Sequence, residues 1–188
     1  MHSLLDLGEV PPHMSHPVRS PLAIHWELDE NCVFLNHGSF GATPTAIREE
    51  QQKWQNLLED EPVRFYEDLA MDFMKTTRDA LAKMLQCSGD DLALVENATT
   101  GVNTILRSLE FNAGDEILVP DHAYQACRNA IDFVAKRWGA KVVTVNIPFP
   151  IEGPHVVVDA IMAGVSQRTV LAMIDTVTSP TGLRIPFE

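Results

Sequence analysis

The chain has 188 residues, of which 45% are hydrophobic and 21% are charged, values that are typical of a folded globular protein and exclude a disordered or fibrous one. Its formal net charge of -12 argues against the basic surface that nucleic acids and anionic membranes require, so we expect neither as a partner. Its apolar runs are all shorter than the ~20 residues of a membrane span. The widely spaced cysteines argue against a zinc site or a disulfide framework and, with no secretory signal, indicate a cytoplasmic protein.

The first part of the chain is expected to be an arm followed by helices. Prolines interrupt residues 1–30, which we interpret as an N-terminal arm. A glycine-rich turn, NHGSFG, follows at 36–41. A helix from Thr45 to Leu58 is predicted next, because Thr43 and Pro44 resemble an N-cap followed by a proline at the first helical position. A second helix is predicted from about Tyr66 to Gln86, because apolar residues recur there at helical spacing. We therefore assign residues 31–88 to a helical segment of a small domain or interface.

From residue 89 onward, short apolar runs alternate with segments of helical periodicity. The runs are LALV at 92–95, EILVP at 116–120, KVVTVNI at 141–147 and TVLAMID at 169–175. Helices are predicted between them, at about 100–109, 124–138 and 157–165. This alternation predicts an α/β domain with a mostly parallel sheet and helices on both of its faces. The segment 89–188 ends without a closing element, so we expect an incomplete domain.

Ligands of open α/β sheets bind at the carboxyl ends of the strands, where three segments are notable. Residues 96–101 place small hydroxyl residues at a helix N-terminus, which suits a phosphate group; the alternative is that a threonine merely caps the helix. Residues 121–124 offer a histidine and a tyrosine that could flank a planar ligand; the alternative is an aspartate that initiates a helix. Residues 175–182 form a polar loop that predicts no specific ligand. The glycine-rich nucleotide motifs are absent.

Five motifs, in their order and spacing, resemble those of the class V aminotransferases, which use pyridoxal 5'-phosphate (PLP). They are FLNHGSFGATP at 34–44, PVRFY at 62–66, NATTG at 97–101, DHAYQA at 121–126 and DTVTSPTGL at 175–183. The resemblance covers roughly residues 30 to 188. It is nearest to the isopenicillin N epimerase-like branch, with the cysteine desulfurases as cousins. It implies the three-layer large domain of fold type I PLP enzymes, of which this chain holds the N-terminal portion.

The resemblance also implies a set of cofactor-binding residues. These are Ala98, Thr99, Thr100, His122, Tyr124 and Ser179. The first three match the segment that holds the PLP phosphate in this family. His122 matches the position that stacks on the pyridine ring, and Tyr124 competes for that role because this branch favours an aromatic residue there. Ser179 matches a position that hydrogen-bonds near the phenolic oxygen of the cofactor.

A second set, implied in the same way, faces the substrate. Asn36, His37 and Gly38 match the N-terminal segment that lines the substrate side in the family. Arg64 lies in a family-like patch and could bind a substrate carboxylate through a bidentate fork. A surface salt bridge is an equal alternative for this arginine.

The two groups on which the family's chemistry depends fall outside the matched motifs. The family's Schiff-base lysine and the aspartate that pairs with the pyridinium nitrogen would both lie beyond Glu188. The five lysines of this chain are Lys53, Lys75, Lys83, Lys136 and Lys141, and none matches the family's lysine motif. We therefore expect no catalytic residue here, weak or absent PLP binding, and no turnover by the chain alone.

The function implied by the resemblance is that of a PLP-dependent enzyme on an amino acid or small peptide, with epimerisation at the α-carbon as the first choice. The alternatives are a cysteine desulfurase or C–S lyase, and a non-catalytic truncated paralogue that pairs with a longer relative. A homodimer is expected if the chain associates with itself. An unrelated doubly wound domain that binds another phosphate ligand is the outside alternative.

Overall fold

The computed structural model describes residues 19–187, and the chain divides after Leu92 into two compact units. Residues 1–18, which make up most of the predicted arm, lie outside the described residues. Within the described part, no helix is long and apolar enough to cross a membrane.

The first unit is helical. Its helices are α1 (His37–Phe40), α2 (Thr45–Asp60), α3 (Pro62–Arg64) and α4 (Ala70–Leu85), with 3-10 turns at Pro21–His25 and Gly89–Asp91 and a π-helical turn at Phe65–Leu69. Both predicted helices are therefore confirmed. Trp54 of α2 packs edge-to-face on Phe73 of α4, with ring centroids 4.7 Å apart, and this contact joins the two longest helices of the unit.

The second unit is an α/β domain. Its elements are α5 (Ala98–Ser108), β1 (Glu116–Pro120), α6 (Gln125–Trp138), β2 (Lys141–Val145), α7 (Pro154–Gly164) and β3 (Thr169–Ala172). The three strands are parallel in the order β2-β1-β3. Central β1 is buried along its whole length, as expected for a parallel strand with helices on both faces.

The alternation of side chains along β1 separates two cores. Ile117 and Val119 point to one face, where they pack with α6 and with Leu106 of α5. Leu118 points to the other face and packs with Val157 of α7 and with Ile185. Helices thus cover both faces of the sheet, because successive residues of β1 point to opposite faces. The predicted parallel sheet with helices on both faces is therefore confirmed.

One predicted strand is wrong. The run LALV at 92–95 forms no strand, and it pairs with no other segment within residues 19–187. Leu94 and Val95 are 45% and 50% exposed. Apolar composition alone does not make a strand, because the backbone N–H and C=O groups of a strand also need a neighbouring strand as partner.

Candidate functional site

The exits of all three strands meet at one edge of the sheet, because parallel strands share the edge of their carboxyl ends. Strand β1 leads into Asp121, β2 into Asn146, and β3 into the segment that contains Asp175. Helix α6 also begins at this edge, and only four residues separate it from the end of β1. The carboxyl edge of the sheet therefore collects the polar residues from which a ligand site could be built.

Asp121 links the segment after β1 to the segment after β2 through hydrogen bonds. Its carboxylate accepts hydrogen bonds from Asn146 Nδ2 at 2.6 Å and from the Ile147 amide at 3.0 Å. Its own amide donates to the Val145 carbonyl at 2.9 Å. The alternative of a helix-initiating aspartate is therefore wrong, since Asp121 bonds to the neighbouring strand exit and the residue that precedes α6 is Tyr124.

His122 is largely buried and bonded to the loop that follows β3. Its side chain is 11% exposed, and its Nδ1 lies 3.1 Å from Thr181 Oγ1. The Thr181 hydroxyl is in turn 2.8 Å from Thr178 Oγ1. Phe149 approaches the imidazole ring edge-on, with centroids 6.0 Å apart. The ring is therefore held between two strand exits.

Tyr124 differs from His122 in exposure. The residue is 46% exposed. Within residues 19–187 it is bonded across the edge through its backbone alone, where its amide donates to Asp175 Oδ2 at 2.9 Å. The structure thus holds the His122 ring through its side chain and Tyr124 through its backbone. Which of the two rings meets the cofactor stays a prediction.

The first turn of α5 keeps donors available. Asn97 caps the helix, because its Oδ1 accepts from the Thr100 amide at 2.9 Å. The alternative that a threonine is the cap is therefore wrong. The first helical hydrogen bond runs from the Gly101 amide to the Asn97 carbonyl, so the amides of Ala98 and Thr99 precede the helical ladder. Donors in this position, at the positive end of an 11-residue helix, fit a phosphate group.

Cys127 connects the first turn of α5 to the strand exits. Burial raises the pKa of its thiol, the negative charge of Asp175 acts in the same direction, and a hydrogen bond with the Thr99 side chain acts against them. Val102 of α5 and Ala123 of the segment after β1 also pack against the same buried cluster. The predicted phosphate segment and the predicted ring segment therefore belong to one edge.

Comparison with known proteins identifies the family. The model of the class V aminotransferases matches residues 42–188. The chain belongs to the class V aminotransferase family. The outside alternative of an unrelated phosphate-binding domain is therefore wrong.

The class V relatives carry two kinds of name. A probable chloroplastic L-cysteine desulfhydrase of Arabidopsis thaliana is 28% identical over 94% of this chain and 41% of its own length. An isopenicillin N epimerase of Streptomyces clavuligerus is 32% identical over 85% of this chain and 40% of its own length. The chain thus spans about two fifths of the length of these relatives.

Solved structures show the same fold. The cystine C–S lyase C-DES in complex with cysteine persulfide superposes with a TM-score of 0.68, at 21% identity, over 78% of this chain and 39% of that one. C-DES with glycine covalently linked to its PLP cofactor gives a TM-score of 0.67 at 20% identity, over 78% of this chain and 38% of that one. The three-layer PLP-enzyme fold is therefore confirmed.

Ser179 sits in a tight loop of the class V chain. Thr178, which precedes it, is buried at 2% exposure, and its amide donates to the Leu183 carbonyl at 2.9 Å. Ser179 itself is exposed, and its side chain has no hydrogen-bond partner within residues 19–187. Its contact with the cofactor stays a prediction.

The substrate-side residues all lie in the first unit. Asn36 caps α1, and His37 packs against Trp26 and Phe34 with ring centroids at 5.6 and 4.7 Å. Gly38 is exposed. Arg64 forms a surface ion pair with Glu61 at 3.8 Å. Roles for Asn36, His37, Gly38 and Arg64 in substrate binding stay predictions.

The lysines of the second unit lie away from the candidate site. Lys141 is the first residue of β2, and Lys136 is in the last turn of α6. Both positions belong to the amino edge of the sheet, because α6 runs back from the carboxyl edge. The other three lysines, Lys53, Lys75 and Lys83, lie in the first unit.

Several residues of the site were not singled out from the sequence. Asn97 could have been predicted as the cap of α5, because an asparagine directly before a helix is a strong N-cap signal. Asn146 and Thr181 carry no such signal, since their roles depend on partners 25 and 59 residues away. Within residues 19–187, no three His, Cys, Asp or Glu side chains come together as metal ligands.

Proposed function

We propose that this chain supplies the PLP-binding part of an enzyme that epimerises an amino acid or small peptide at its α-carbon, as the name of the isopenicillin N epimerase relatives indicates. The observation that supports it is the meeting of His122, Tyr124 and Asp175 at one sheet edge, beside helix α5, whose Val102 packs against the same buried cluster as Ala123. PLP, when bound, supplies an electron sink that weakens the bonds at the substrate's α-carbon.

The residues of this chain would divide the work by chemical type. The amides of Ala98 and Thr99, with the threonine hydroxyls of the same turn, would hold the phosphate. His122 or Tyr124 would lie against the ring, since both are planar side chains at the strand exit. The predicted contact of Ser179 would come from the loop after β3.

A second candidate is a C–S lyase that acts on cysteine. The naming of desulfhydrases among relatives that match 82% to 94% of this chain supports it. A desulfurase needs a cysteine that reaches the substrate, and Cys127 is only 4% exposed, so Cys127 does not support that form of the reaction. The C–S lyase candidate does not need such a cysteine.

We further propose that the chain associates with a second copy or with a longer class V relative. Large apolar side chains are exposed on both long helices of the first unit, including Ile47, Trp54, Met71 and Met74. Burial of such side chains is the ordinary driving force for association. A cytoplasmic location also stays a prediction.

The cofactor site is tested by titrating the purified chain with PLP while its amide signals are followed by NMR. We expect weak binding that shifts the amides of residues 98–100 and 122–124. The double variant Thr99→Val/Thr100→Val should weaken binding roughly tenfold, the equivalent of about 1.4 kcal/mol. The matched control is Thr104→Val, one turn further along the same helix and exposed, which should bind PLP like the unaltered chain.

Two results would contradict the proposal. One is PLP that shifts no amide at the carboxyl edge, and the other is equal binding by the double variant and the control. Because we expect no turnover by the chain alone, the reaction is examined in two chimaeras that join this chain to the C-terminal part of an epimerase relative or of a desulfhydrase relative. Each receives L-cysteine or an L-configured peptide, and sulfide release and exchange of the α-hydrogen with solvent are followed. Sulfide release would favour the lyase candidate, and exchange without sulfide would favour epimerisation.

A further inference from the structure

A continuous series of polar groups crosses the carboxyl edge through His122. On one side of the ring, Nδ1 lies 3.1 Å from Thr181 Oγ1, which is 2.8 Å from Thr178 Oγ1. The Leu183 amide donates to that Thr178 hydroxyl at 3.0 Å. On the other side, Nε2 faces Asp121 Oδ1 at 3.8 Å. The series therefore runs from a backbone amide to a carboxylate.

The two ends of the series have fixed roles. The Leu183 N–H can only donate, so it occupies a lone pair of Thr178 and leaves that hydroxyl proton to point elsewhere. At the other end, the Asp121 carboxylate accepts hydrogen bonds from Asn146 and Ile147, and an ionised carboxylate can only accept. An acceptor next to Nε2 favours a proton on that nitrogen, although 3.8 Å is too long for a direct hydrogen bond.

We infer that the Asp121 end gives the series its direction and holds neutral His122 as the Nε2–H tautomer. Thr178 donates to Thr181, Thr181 donates to Nδ1, and the Nε2–H points toward the Asp121 carboxylate. The hydrogen bond that Nδ1 accepts thus keeps the histidine proton on Nε2, as is general for histidines in functional sites. Thr181 is then a positioning residue that acts through His122.

The opposite direction is disfavoured at the Asp121 end. At the other end, the Thr178 hydroxyl could donate to the Leu183 carbonyl at 3.3 Å while it accepts from Thr181 at 2.8 Å, so the threonine end by itself permits both directions. A proton on Nδ1 would leave the Nε2 lone pair facing a carboxylate, which is electrostatically unfavourable. The charge of Asp121 therefore decides in favour of the Nε2–H tautomer.

The consequence for ligand binding rests on the proposed function. His122 would present a donor at Nε2 and no free acceptor at Nδ1, and its ring plane would be set before a ligand arrives. A ligand group that meets the ring edge would then have to be an acceptor. The tautomer itself does not depend on any ligand, so it can be tested in the chain alone.

The test is ¹⁵N NMR of the full chain labelled at histidine, recorded in alkaline buffer where imidazole is neutral. The signals of His122 are assigned by their loss in His122→Gln, since the chain has seven histidines. We expect the pattern of a single Nε2–H tautomer. A pattern of Nδ1–H, or an average of the two tautomers, would overturn the inference.

Variants of the loop test the positioning role. Thr181→Val should convert the single tautomer of His122 to a mixture, and Thr181→Ser should restore it because the hydroxyl returns. Thr176→Val is the control, an exposed threonine of the same loop, and should leave the pattern unchanged. An unchanged tautomer in Thr181→Val would refute the role of Thr181. If that variant does not fold, the tautomer of the unaltered chain still decides the inference.

Failure of this inference is distinguishable from failure of the proposed function. Nε2–H without PLP binding would contradict the cofactor site alone. Nδ1–H together with PLP-induced shifts at residues 98–100 would contradict the tautomer alone.

Discussion

Asp175 Oδ2 accepts a hydrogen bond from the amide of Tyr124 at 2.9 Å, although the two residues are 51 positions apart. Tyr124 directly precedes α6 and has no side-chain cap of its own for that helix. A carboxylate at this place supplies both an acceptor and a negative charge at the positive end of α6. One side chain after β3 therefore stabilises the start of the helix that follows β1.

Replacing Asp175 should destabilise the second unit. We expect Asp175→Ala to cost about 1.5–3 kcal/mol, because a charge-assisted hydrogen bond is lost, and Asp175→Asn to cost less because an acceptor remains. Urea unfolding followed by Trp138 fluorescence, with Trp26 and Trp54 replaced by Phe, measures the effect. Asp159→Ala, at an exposed position of α7, is the control, and an equal loss in both alanine variants would contradict the prediction.

The contact between Asp121 and Asn146 should behave as a coupled pair. Their side chains are 2.6 Å apart, so removing Asp121 takes this acceptor from the Asn146 amide, and removing Asn146 leaves the Asp121 carboxylate with the hydrogen bond from Ile147. We expect a coupling free energy of about 0.5–3 kcal/mol in a double-mutant cycle of Asp121→Ala and Asn146→Ala. Additive losses of unfolding free energy would show that other contacts hold the two strand exits together.

Cys127 should be protected from thiol reagents in the folded chain. It is buried, whereas Cys32 and Cys87 are exposed, and burial raises its thiol pKa. We expect a maleimide to label the two exposed thiols quickly and Cys127 only after urea is added. Rapid labelling of all three thiols in the native chain would contradict the burial.

The same shift predicts a loss of stability at high pH. The folded chain holds the Cys127 proton more tightly than the unfolded chain does, because the thiol pKa is raised. The contribution of the protonated thiol to the free energy of unfolding is therefore complete below the ordinary thiol pKa. It is lost as the pH rises above about 8.5–9. The decline should be smaller in Cys127→Ala, and Asp175→Asn should lower the thiol pKa because one negative charge is removed. Identical alkaline profiles for the unaltered chain and Cys127→Ala would count against the shift.

Two glycines of the second unit should respond in opposite directions to alanine. A Cβ at Gly164, the last residue of α7, would lie 2.6 Å from Val145 Cγ2 and 3.1 Å from Leu118 Cδ1. We expect Gly164→Ala to cost about 1–3 kcal/mol through overpacking. A Cβ at Gly101 would meet only Val95 at 3.6 Å, so Gly101→Ala should gain about 0.5–1 kcal/mol of helix stability. Urea unfolding of both variants distinguishes the two outcomes.

Borohydride trapping should yield no stoichiometric PLP adduct on a single lysine. The two lysines of the second unit lie at the amino edge, opposite the predicted phosphate-binding turn. Mass spectrometry of the reduced, digested chain measures the adducts, and we expect low, scattered modification. One fully modified lysine, or turnover of an amino acid by the chain, would contradict this expectation.

Local sequence determined the elements and the order in which they occur. The run EILVP predicted β1, and the alternation of such runs with helical segments predicted a parallel sheet with helices on both faces, in agreement with the buried Ile117, Leu118 and Val119. These features depend on the periodicity and hydrophobicity of neighbouring residues. The motifs NATTG and DHAYQA likewise indicated the family and the segments at the carboxyl edge.

The tertiary structure decided which polar groups are partners. The sequence indicated a strand at 92–95, but a strand also needs a neighbour, and none lies beside it within residues 19–187. Asp121 resembled a helix-initiating residue, yet it bonds to Asn146 on the next strand exit. The contacts between His122 and Thr181 and between Tyr124 and Asp175 join residues 59 and 51 positions apart. Local patterns do not specify such pairs, because they form only when the parallel strands bring their carboxyl ends together.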